Sequence, residues 1–436
     1  MYICIDLKTF YASVECCDRG LDPFTTLLVV ADPTRTETTI CLAISPAMKA
    51  LGIRNRCRLY EIPKDIHPII APPHMYHYME VSAHIYSIYL RYVAPEDIYV
   101  YSIDECFINA DPYLTLYDCD ARQFAYMLMQ AVIKETGIFA TVGIGNNLFL
   151  AKVALDITAK HVKDGIGYLD DFTFKRDIWH HRPLTDIWNI GPGIARRLAS
   201  YGVYDLAGIT HLDRKLLYEE FGANAEYLID HAYGLEPCTI QEIHAYTPES
   251  TSMSFGQVLP HNYDLNEAVI VLKEMISDAV LDLVDRHMIC QRVSLNVGYD
   301  YTHLPINKRD IFVGEHGKQV LNKAQEFTGS SKKLMYATNS YTTIKKELLR
   351  IFYDTTDTNT MIRRLNISLD DLVDEDFVQY DLFTNTQTNR IAEHKLIQTV
   401  NKIKSKFGKN SLIKGISLTE KATGQERNNQ VGGHHA

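Results

Sequence analysis

Two acidic fragments, about a hundred residues apart, constrain this 436-residue chain more than any other feature. The first is ICIDLKTFYASVE at residues 3–15, and the second is YSIDECF at residues 101–107. Each sets carboxylates at the end of an apolar, β-branched run, which predicts a strand whose last side chains meet solvent. Carboxylates brought together suit a pair of hard divalent cations, and such pairs drive in-line phosphoryl and nucleotidyl transfer.

Length and composition limit the class of protein. Single cores rarely grow beyond about 250–300 residues, so we expect several domains. The chain is 46% hydrophobic and 22% charged, without a run of about 18 apolar residues, which excludes a membrane span. It starts with a strand-like YICID and no charged leader, so we expect no secretory signal and a cytoplasmic location.

The cysteines and histidines do not predict a zinc site. None of the nine cysteines forms a CxxC pair, and the 17 histidines are dispersed. Scattered cysteines are typical of buried thiols in a reducing cytoplasm.

A net charge of −10 argues against nucleic-acid binding at first, but the charges are unevenly distributed. Residues 300–353 contain nine Lys and Arg against five acids, and residues 390–427 contain nine against three. A local basic face binds phosphates even on an acidic protein, and Lys332 and Lys333 are its candidate DNA-binding residues.

The first 165 residues predict a catalytic domain with an insertion. Outside the Pro-punctuated segment 21–73, strands and helices alternate in the order βαββαβ, the ferredoxin-like arrangement with helices on one face of a sheet. That sheet brings Asp6 beside Asp104 and Glu105. Neighbouring residues of a strand point to opposite faces, so we expect a turn or bulge at residues 104–105.

Residues 184–208 predict a helix, a Gly-Pro-Gly turn and a second helix, the helix-hairpin-helix pattern. Gly191 and Gly193 would expose backbone N–H groups to a DNA phosphate, with Arg196 and Arg197 adding charge. The alternative is an αα-hairpin that only packs.

The C-terminal half predicts a separate α/β domain at 250–355 with a basic face. We expect residues 356–436 to be weakly structured, apart from a helix at 389–407.

With these motifs in place, the chain resembles the Y-family of translesion DNA polymerases, on the UmuC/ImpB branch and its UvrX-like members. A third segment, TVGIGNN at residues 141–147 followed by Ala151-Lys152 and, further on, by Lys160, is similar to another palm motif of that family. The resemblance implies an α+β multidomain protein. It has a ferredoxin-like palm (1–20 and 74–165), inserted fingers (21–73), a helix-hairpin-helix thumb (166–243), an α/β little finger (250–355) and a tail (356–436).

The resemblance also implies the roles of the acidic residues. Asp6, Asp104 and Glu105 would be the catalytic metal ligands, with the Leu7 carbonyl as an extra ligand. The cofactor would be two Mg²⁺ ions, which Mn²⁺ could replace. The alternative is that Asp104 and Glu105 form a polar turn and that Asp6 caps a helix.

Nucleotide-binding residues follow from the same resemblance. Phe10 and Tyr11 would lie beneath the incoming nucleotide, with Tyr11 excluding a ribose 2′-OH by clash. Lys49 and Lys160 would contact the triphosphate. The fingers depart from the family pattern, since Pro46 stands where many members have Tyr and Lys49 where they have Arg, so the bidentate grip is lost. The alternative is that both aromatic rings are core residues.

The implied function is template-directed DNA synthesis of low fidelity opposite damaged template, within the DNA damage (SOS) response. Its partners would be primer-template DNA and deoxynucleoside triphosphates, and the protein would act as a monomer. The sequence leaves open whether a recombinase filament activates it. The competing hypotheses are a nucleotidyl cyclase-like palm enzyme and an inactive clamp-binding scaffold at replication forks.

A pentapeptide near the C-terminus predicts a further partner. Gln379-Tyr380-Asp381-Leu382-Phe383 matches the QxxLF-type peptide with which bacterial polymerases hold the sliding clamp. Gln379 would occupy a polar subsite, and Leu382 and Phe383 would be the apolar anchors. The alternative is that both anchors pack onto the 250–355 domain.

We expect the double variant Leu382→Ala/Phe383→Ala to lose clamp binding and clamp-stimulated synthesis, because a tether makes rebinding of the primer end intramolecular. Basal synthesis on a short primer-template should remain. Unchanged clamp affinity in surface plasmon resonance would refute the docking role.

Overall fold

A computed structural model of the protein describes residues 1–32, 37, 39–247, 251–300, 311–313, 319–321, 327–377 and 387–435. They form two compact units, Met1–Thr247 with Val431–Ala436, and Pro248–Gln430. Among the described helices, none has the length and apolar character needed to cross a membrane. The predicted clamp peptide, with Gln379, Leu382 and Phe383, lies outside the described residues.

The first unit begins with a strand, β1 (Tyr2–Leu7), and a helix, α1 (Phe10–Asp18). The elements that follow are, in chain order, β2 (Leu28–Val30), β3 (Ala43–Ile44), α2 (Pro46–Ala50), β4 (Ile69–Ala71), α3 (Met75–Tyr89), β5 (Ile98–Val100), β6 (Glu105–Asn109), α4 (Asp111–Leu116), α5 (Ala121–Thr136), β7 (Ala140–Gly145), α6 (Leu148–Val153), β8 (Ile166–Leu169), α7 (Asp171–Asp177), α8 (Pro192–Ser200), α9 (Leu206–Ile209), α10 (Arg214–Phe221), α11 (Ala225–Ala232) and α12 (Ile240–Ala245).

The central sheet has the strand order β5-β6-β1-β7-β8. Its first four strands are antiparallel neighbours in the order of a βαββαβ unit, and β8 adds a parallel edge strand. Alternate residues of β1, including Ile3 and Ile5, enter a core shared with α3 and α5. Cys4 faces the other side, where it packs with residues of α6. The expectation that helices cover only one face is therefore wrong.

Two glycines allow α6 to approach β7 closely. A Cβ atom on Gly143 would lie 2.0 Å from the Ala151 carbonyl oxygen and 2.2 Å from the Leu155 nitrogen. A Cβ on Gly145 would lie 2.3 Å from the Ala151 nitrogen. Backbone atoms cannot yield to a side chain as a flexible rotamer can, so helix and strand touch only because both positions lack one.

The inserted segment 21–73 has a small sheet with the order β3-β2-β4. Val29, Ile44 and Met48 belong to a small core that this segment builds for itself. The α2 helix starts at Pro46 because the Ser45 hydroxyl accepts a hydrogen bond from the Met48 nitrogen at 3.3 Å, and proline suits a first helical position.

The segment 166–243 is mainly helical, but the prediction of a helix before the Gly-Pro-Gly turn is wrong. The residues before the Gly-Pro-Gly turn form only a short 3₁₀ turn, Leu184–Asp186, because Pro183 precedes it and Asn189 follows with a positive φ of 66°. The second helix of the hairpin is present as α8.

The second unit is built on a four-stranded antiparallel sheet in the order β13-β10-β14-β9. Its elements, with those that end the chain, are β9 (Ser252–Tyr263), α13 (Leu265–Asp285), β10 (Met288–Tyr299), β11 (Ile311–Val313), β12 (Gln319–Leu321), β13 (Phe327–Thr338), α14 (Tyr341–Thr355), β14 (Ile362–Asp374), α15 (Gln387–Phe407), α16 (Gly424–Asn428), β15 (Gln430–Val431) and β16 (His434–His435).

The expectation of a weakly structured region after residue 355 is wrong. Strand β14 lies between β10 and β9, so the 250–355 domain extends beyond its predicted end. The acidic run at 370–376 suggests a solvated segment. However, most of this run belongs to β14, and Leu365, Ile367 and Leu369 earlier in the same strand enter the core. Ile397 of the following helix α15 is buried in the same core.

We expect Gly143→Ala to lower the free energy of unfolding by about 3 kcal/mol or more, because the new methyl group overlaps two backbone atoms. Gly193→Ala is the control, since nothing lies within 4 Å of its Cβ position and alanine favours a helix, so it should change stability by less than about 1 kcal/mol. Equal denaturant midpoints for the two variants would contradict this packing.

Candidate active site

Two of the predicted metal ligands are direct neighbours across the sheet. Asp6 of β1 pairs in register with Glu105 of β6. Since Ile5 and Leu7 point into the core, the Asp6 side chain lies on the opposite face of the sheet. Cross-strand pairs stand close together on one face, so the register alone brings these two carboxylates into one site.

Asp104 reaches the site because it precedes its strand. Strand β6 begins at Glu105, and Asp104 belongs to the bend between β5 and β6. The bend is held by the Leu7 nitrogen, which donates to the Asp104 carbonyl at 2.9 Å, and by the Ser102 hydroxyl, which donates to Asp104 Oδ1 at 2.7 Å. The turn that consecutive acidic residues require is therefore present. The role predicted for the Leu7 carbonyl stays a prediction.

The three carboxyl groups repel one another. Burial first, and then the Asp104 and Glu105 carboxylates, raise the pKa of Asp6 from 3.8 to about 7 against the opposing Lys152 charge. Among the described residues, no donor makes a hydrogen bond to the Asp6 carboxylate. A hard divalent cation such as Mg²⁺ fits this donor set chemically, because oxygen ligands under mutual repulsion gain from a hard cation.

Lys152 forms an ion pair with the third carboxylate of the site, that of Glu105. This buried lysine of α6 makes ion pairs with Glu105 Oε1 and with Asp156 Oδ1, the latter at 3.2 Å. Burial alone would lower the pKa of Lys152, but the neighbouring anions, Asp156 foremost, raise it above its ordinary value. Consistent with this pairing, no group of three or more His, Cys, Asp or Glu side chains in the described part of the chain is arranged to hold a metal ion.

The two aromatic residues of the first motif have different environments. Phe10 is buried in the palm core, as the packing alternative requires. Tyr11 is only partly buried, and its pKa is raised by burial and by the Asp104 carboxylate, with Arg56 opposing. Tyr11 therefore lies beside the acidic site, and Arg56 of the inserted segment lies near it.

Basic residues also lie near the carboxylates. Partial burial of the Lys49 amine lowers its pKa, the Asp6 carboxylate opposes this, and the Lys160 and Lys8 charges lower the pKa further. These interactions place Lys49 of α2 and Lys160 of the palm in one neighbourhood with Asp6, although they are 111 positions apart in the sequence. The structure thus brings together both lysines predicted to contact a triphosphate.

The hairpin residues predicted to bind DNA differ in availability. Gly191, Gly193 and Arg196 are exposed at the start of α8. Arg197 instead donates to the Glu220 carbonyl at 2.6 Å and stacks over the Phe221 ring at 4.3 Å, so α10 holds it. The first three can meet a phosphate without rearrangement.

The paired lysines of β13 do not form one basic patch. Lys332 makes an ion pair with Glu347 of α14 at 2.6 Å, on the side of the sheet that the helices cover. Lys333 is exposed and pairs across strands with Arg292. Adjacent strand residues point to opposite faces, so the two lysines lie on different sides of the sheet, and the DNA-binding role of each stays a prediction.

The sequence did not single out Lys8, Arg56 or Lys152 as site residues. Lys8 directly follows the first acidic strand, which was a usable signal. Lys152 belongs to the third motif, but its pairing with Glu105 depends on the tertiary packing of α6. Nothing in the sequence distinguishes Arg56 from the nearby Arg54 and Arg58.

Comparisons with known proteins agree with this geometry. Residues 5–156 match the impB/mucB/samB family, and residues 250–382 match the C-terminal domain of the same family. The DNA repair protein homolog YozK of Bacillus subtilis strain 168 is 40% identical over 103 residues, which is 23% of this chain and 90% of the relative. The chain belongs to the UmuC/ImpB branch of the Y-family DNA polymerases. This confirms the family and the enzyme class predicted from the motifs.

Other similarities extend over the whole chain. The UvrX protein of Bacillus subtilis strain 168 is 29% identical, with 99% of this chain and 97% of the relative covered. The solved structure of a chimeric Y-family DNA polymerase has a TM-score of 0.60 at 20% identity and covers 85% of this chain and 99% of its own. The structural similarity supports the fold of both units.

We expect Asp6→Asn to stabilise the metal-free protein at pH 8 by about 1–3 kcal/mol. The folded pKa of Asp6 lies near 7, above its ordinary 3.8, so ionisation costs stability as pH rises between these values and fully above 7. The difference between variant and wild type should shrink towards pH 4.

Thermal unfolding with and without Mg²⁺ completes this test. Mg²⁺ should raise the Tm of the wild type at pH 8 and leave Asp6→Asn nearly unchanged. A variant less stable than the wild type at pH 8 in chelator, or an equal Mg²⁺ response, would contradict the account of the carboxylates.

Proposed function

We propose that this protein is a low-fidelity, template-directed DNA polymerase that extends a primer 3′ end opposite damaged template by two-metal-ion nucleotidyl transfer. The observation that carries the proposal is the pairing of Asp6 with Glu105, beside Asp104 and near Lys49 and Lys160. Carboxylates with lysines nearby are what a triphosphate and its metal ions require.

The carboxylates would hold the metal ions. Asp6 and Asp104 make no direct ion pair among the described residues and would be the first ligands. Bound Mg²⁺ would supply a lowered pKa at the primer 3′-OH and charge neutralisation on the triphosphate. Glu105 would share its charge between this site and Lys152, which fixes its position.

Lys49 and Lys160 would bind the triphosphate. Burial is the main cause of the lowered pKa of Lys49, and repulsion from Lys160 adds to it, so an anion between the two amines would be favourable. Lysine neutralises phosphate as a point charge without the fixed fork of arginine. Arg56, near Tyr11, would add a guanidinium from the same inserted segment.

Tyr11 would select the sugar. Its ring lies at the start of α1, next to Asp104, where the deoxyribose of a metal-bound nucleotide would rest. A ring in that place leaves no room for a 2′-OH, so discrimination arises from repulsion.

The substrates and partners are also proposals, supported by the relatives and by the exposed residues of α8. Relatives named DNA polymerase IV, such as one from Halalkalibacterium halodurans that is 27% identical over 433 residues, support primer-template DNA and deoxynucleoside triphosphates. The exposed amides at the start of α8, with Arg196, suit the DNA backbone. The clamp peptide and the need for a recombinase filament stay proposals from the sequence.

One observation favours the alternative of a non-catalytic scaffold. Lys152 already neutralises Glu105, so the site is short of one metal ligand as it stands. The scaffold and the polymerase differ in primer extension, which only the polymerase performs.

We expect Asp104→Asn to reduce primer extension with Mg²⁺ by at least about a thousandfold, equivalent to about 4 kcal/mol of lost transition-state stabilisation. Primer-template affinity, measured by fluorescence anisotropy, should not fall, because removing a carboxylate does not weaken phosphate binding. Glu96→Gln, at an exposed acidic residue of the same domain, is the matched control and should retain activity. Appreciable extension by Asp104→Asn would refute the catalytic assignment.

A further inference from the structure

A second tyrosine lies directly beneath the proposed sugar-selecting residue. Tyr78 belongs to the first turn of α3, and its ring is stacked on that of Tyr11, with ring centres 4.6 Å apart and planes inclined by 20°. Tyr78 is fully buried, whereas Tyr11 is partly exposed to the site. Tyr78 therefore forms the floor on which the Tyr11 ring rests.

The hydroxyl of Tyr78 is fixed by a buried carboxylate. It donates to Glu15 Oε1 at 2.6 Å, and Glu15 is only 1% exposed. Glu15 stands one helical turn after Tyr11 on α1, so residues 11 and 15 share one face of that helix. Tyr78 spans both positions, with its ring under Tyr11 and its hydroxyl on Glu15.

Glu15 is itself held from several directions. His74 lies 2.8 Å from Oε1, and Arg19 makes an ion pair with Oε2. Burial would raise the pKa of Glu15, but the bonds from Tyr78, His74 and Arg19 lower it overall, so the carboxylate stays charged and keeps its donors. A charged, fully engaged acceptor leaves the Tyr78 ring little freedom to tilt.

The Tyr11 ring must be held rigidly, because steric exclusion of a ribose 2′-OH fails if the ring can move. A ring that tilts away from a 2′-OH accommodates ribose at little cost, whereas a ring pressed against a fixed neighbour cannot. We infer that Tyr78, anchored by Glu15, is a positioning residue that holds the Tyr11 ring and thereby sets the discrimination between deoxyribose and ribose. This inference rests on the proposed role of Tyr11. Tyr78 itself would touch no substrate atom.

The test measures kcat/KM for the matched deoxynucleotide and ribonucleotide and takes their ratio. We expect Tyr78→Leu to lower the ratio roughly tenfold, mainly by improving ribonucleotide use, since the floor under Tyr11 is lost. Tyr78→Phe keeps the ring but not its anchor and should lower the ratio roughly threefold. A role confined to stability would lower both constants together and leave the ratio unchanged.

Tyr113 provides a matched control in the same core. It is buried, its hydroxyl donates to Asp97 Oδ2 at 2.8 Å, and its ring stacks on Phe124 with centres 5.9 Å apart. Tyr113→Leu should therefore cost similar stability but leave the ratio at the wild-type value. A wild-type ratio in Tyr78→Leu overturns the inference, and if that variant fails to fold, a wild-type ratio in Tyr78→Phe does so.

A Tyr11→Ala arm separates this inference from the proposed function. If Tyr11→Ala keeps the wild-type ratio, the sugar-selecting role of Tyr11 is wrong, and the inference falls with it. If Tyr11→Ala loses selection while both Tyr78 variants keep it, only the inference is wrong. Adding Tyr78→Leu to Tyr11→Ala should lower the ratio no further, because the two residues act through one ring.

Discussion

The register between β1 and β6 is the constraint on which the candidate site depends. It sets Asp6 opposite Glu105, on the face of the sheet away from the main palm core. A shift of one residue would turn the Asp6 side chain into that core and Ile5 out of it. The apolar residues on either side of Asp6 therefore specify where the charge stands, and burial of the core stabilises a site that is electrostatically unfavourable by itself.

Two further interactions complete the site. The close contact of α6 with β7, which Gly143 and Gly145 allow, brings Lys152 to Glu105. The contact of α1 with α3 brings Tyr78 under Tyr11. Lys152 thus contacts Glu105 and Tyr78 contacts Tyr11, so each of these two site residues has a buried neighbour that supports it. The same sheet thus supports the proposed metal ligands, and its helices support the proposed sugar-selecting ring.

Much of this could be predicted from the sequence because the signals are local. An apolar, β-branched run located β1, and the helix predicted at 389–407 is observed as Gln387–Phe407. Long-range contacts could not be predicted in the same way. The ion pairs of Lys152 and Lys332 depend on which helix packs on which strand, and charge counting along the chain does not contain that information. The acidic run in β14 concealed a central strand, because its alternation begins before the acids and its partners are distant in sequence.

The central claim is that the carboxylates around Asp6 bind two metal ions when nucleotide and DNA are present. Electron paramagnetic resonance of Mn²⁺ counts such ions directly in a complex with primer-template and a non-hydrolysable deoxynucleoside triphosphate. The account predicts two tightly bound ions per complex, more than the nucleotide alone binds in free solution. A count no greater than that of the free nucleotide would contradict it.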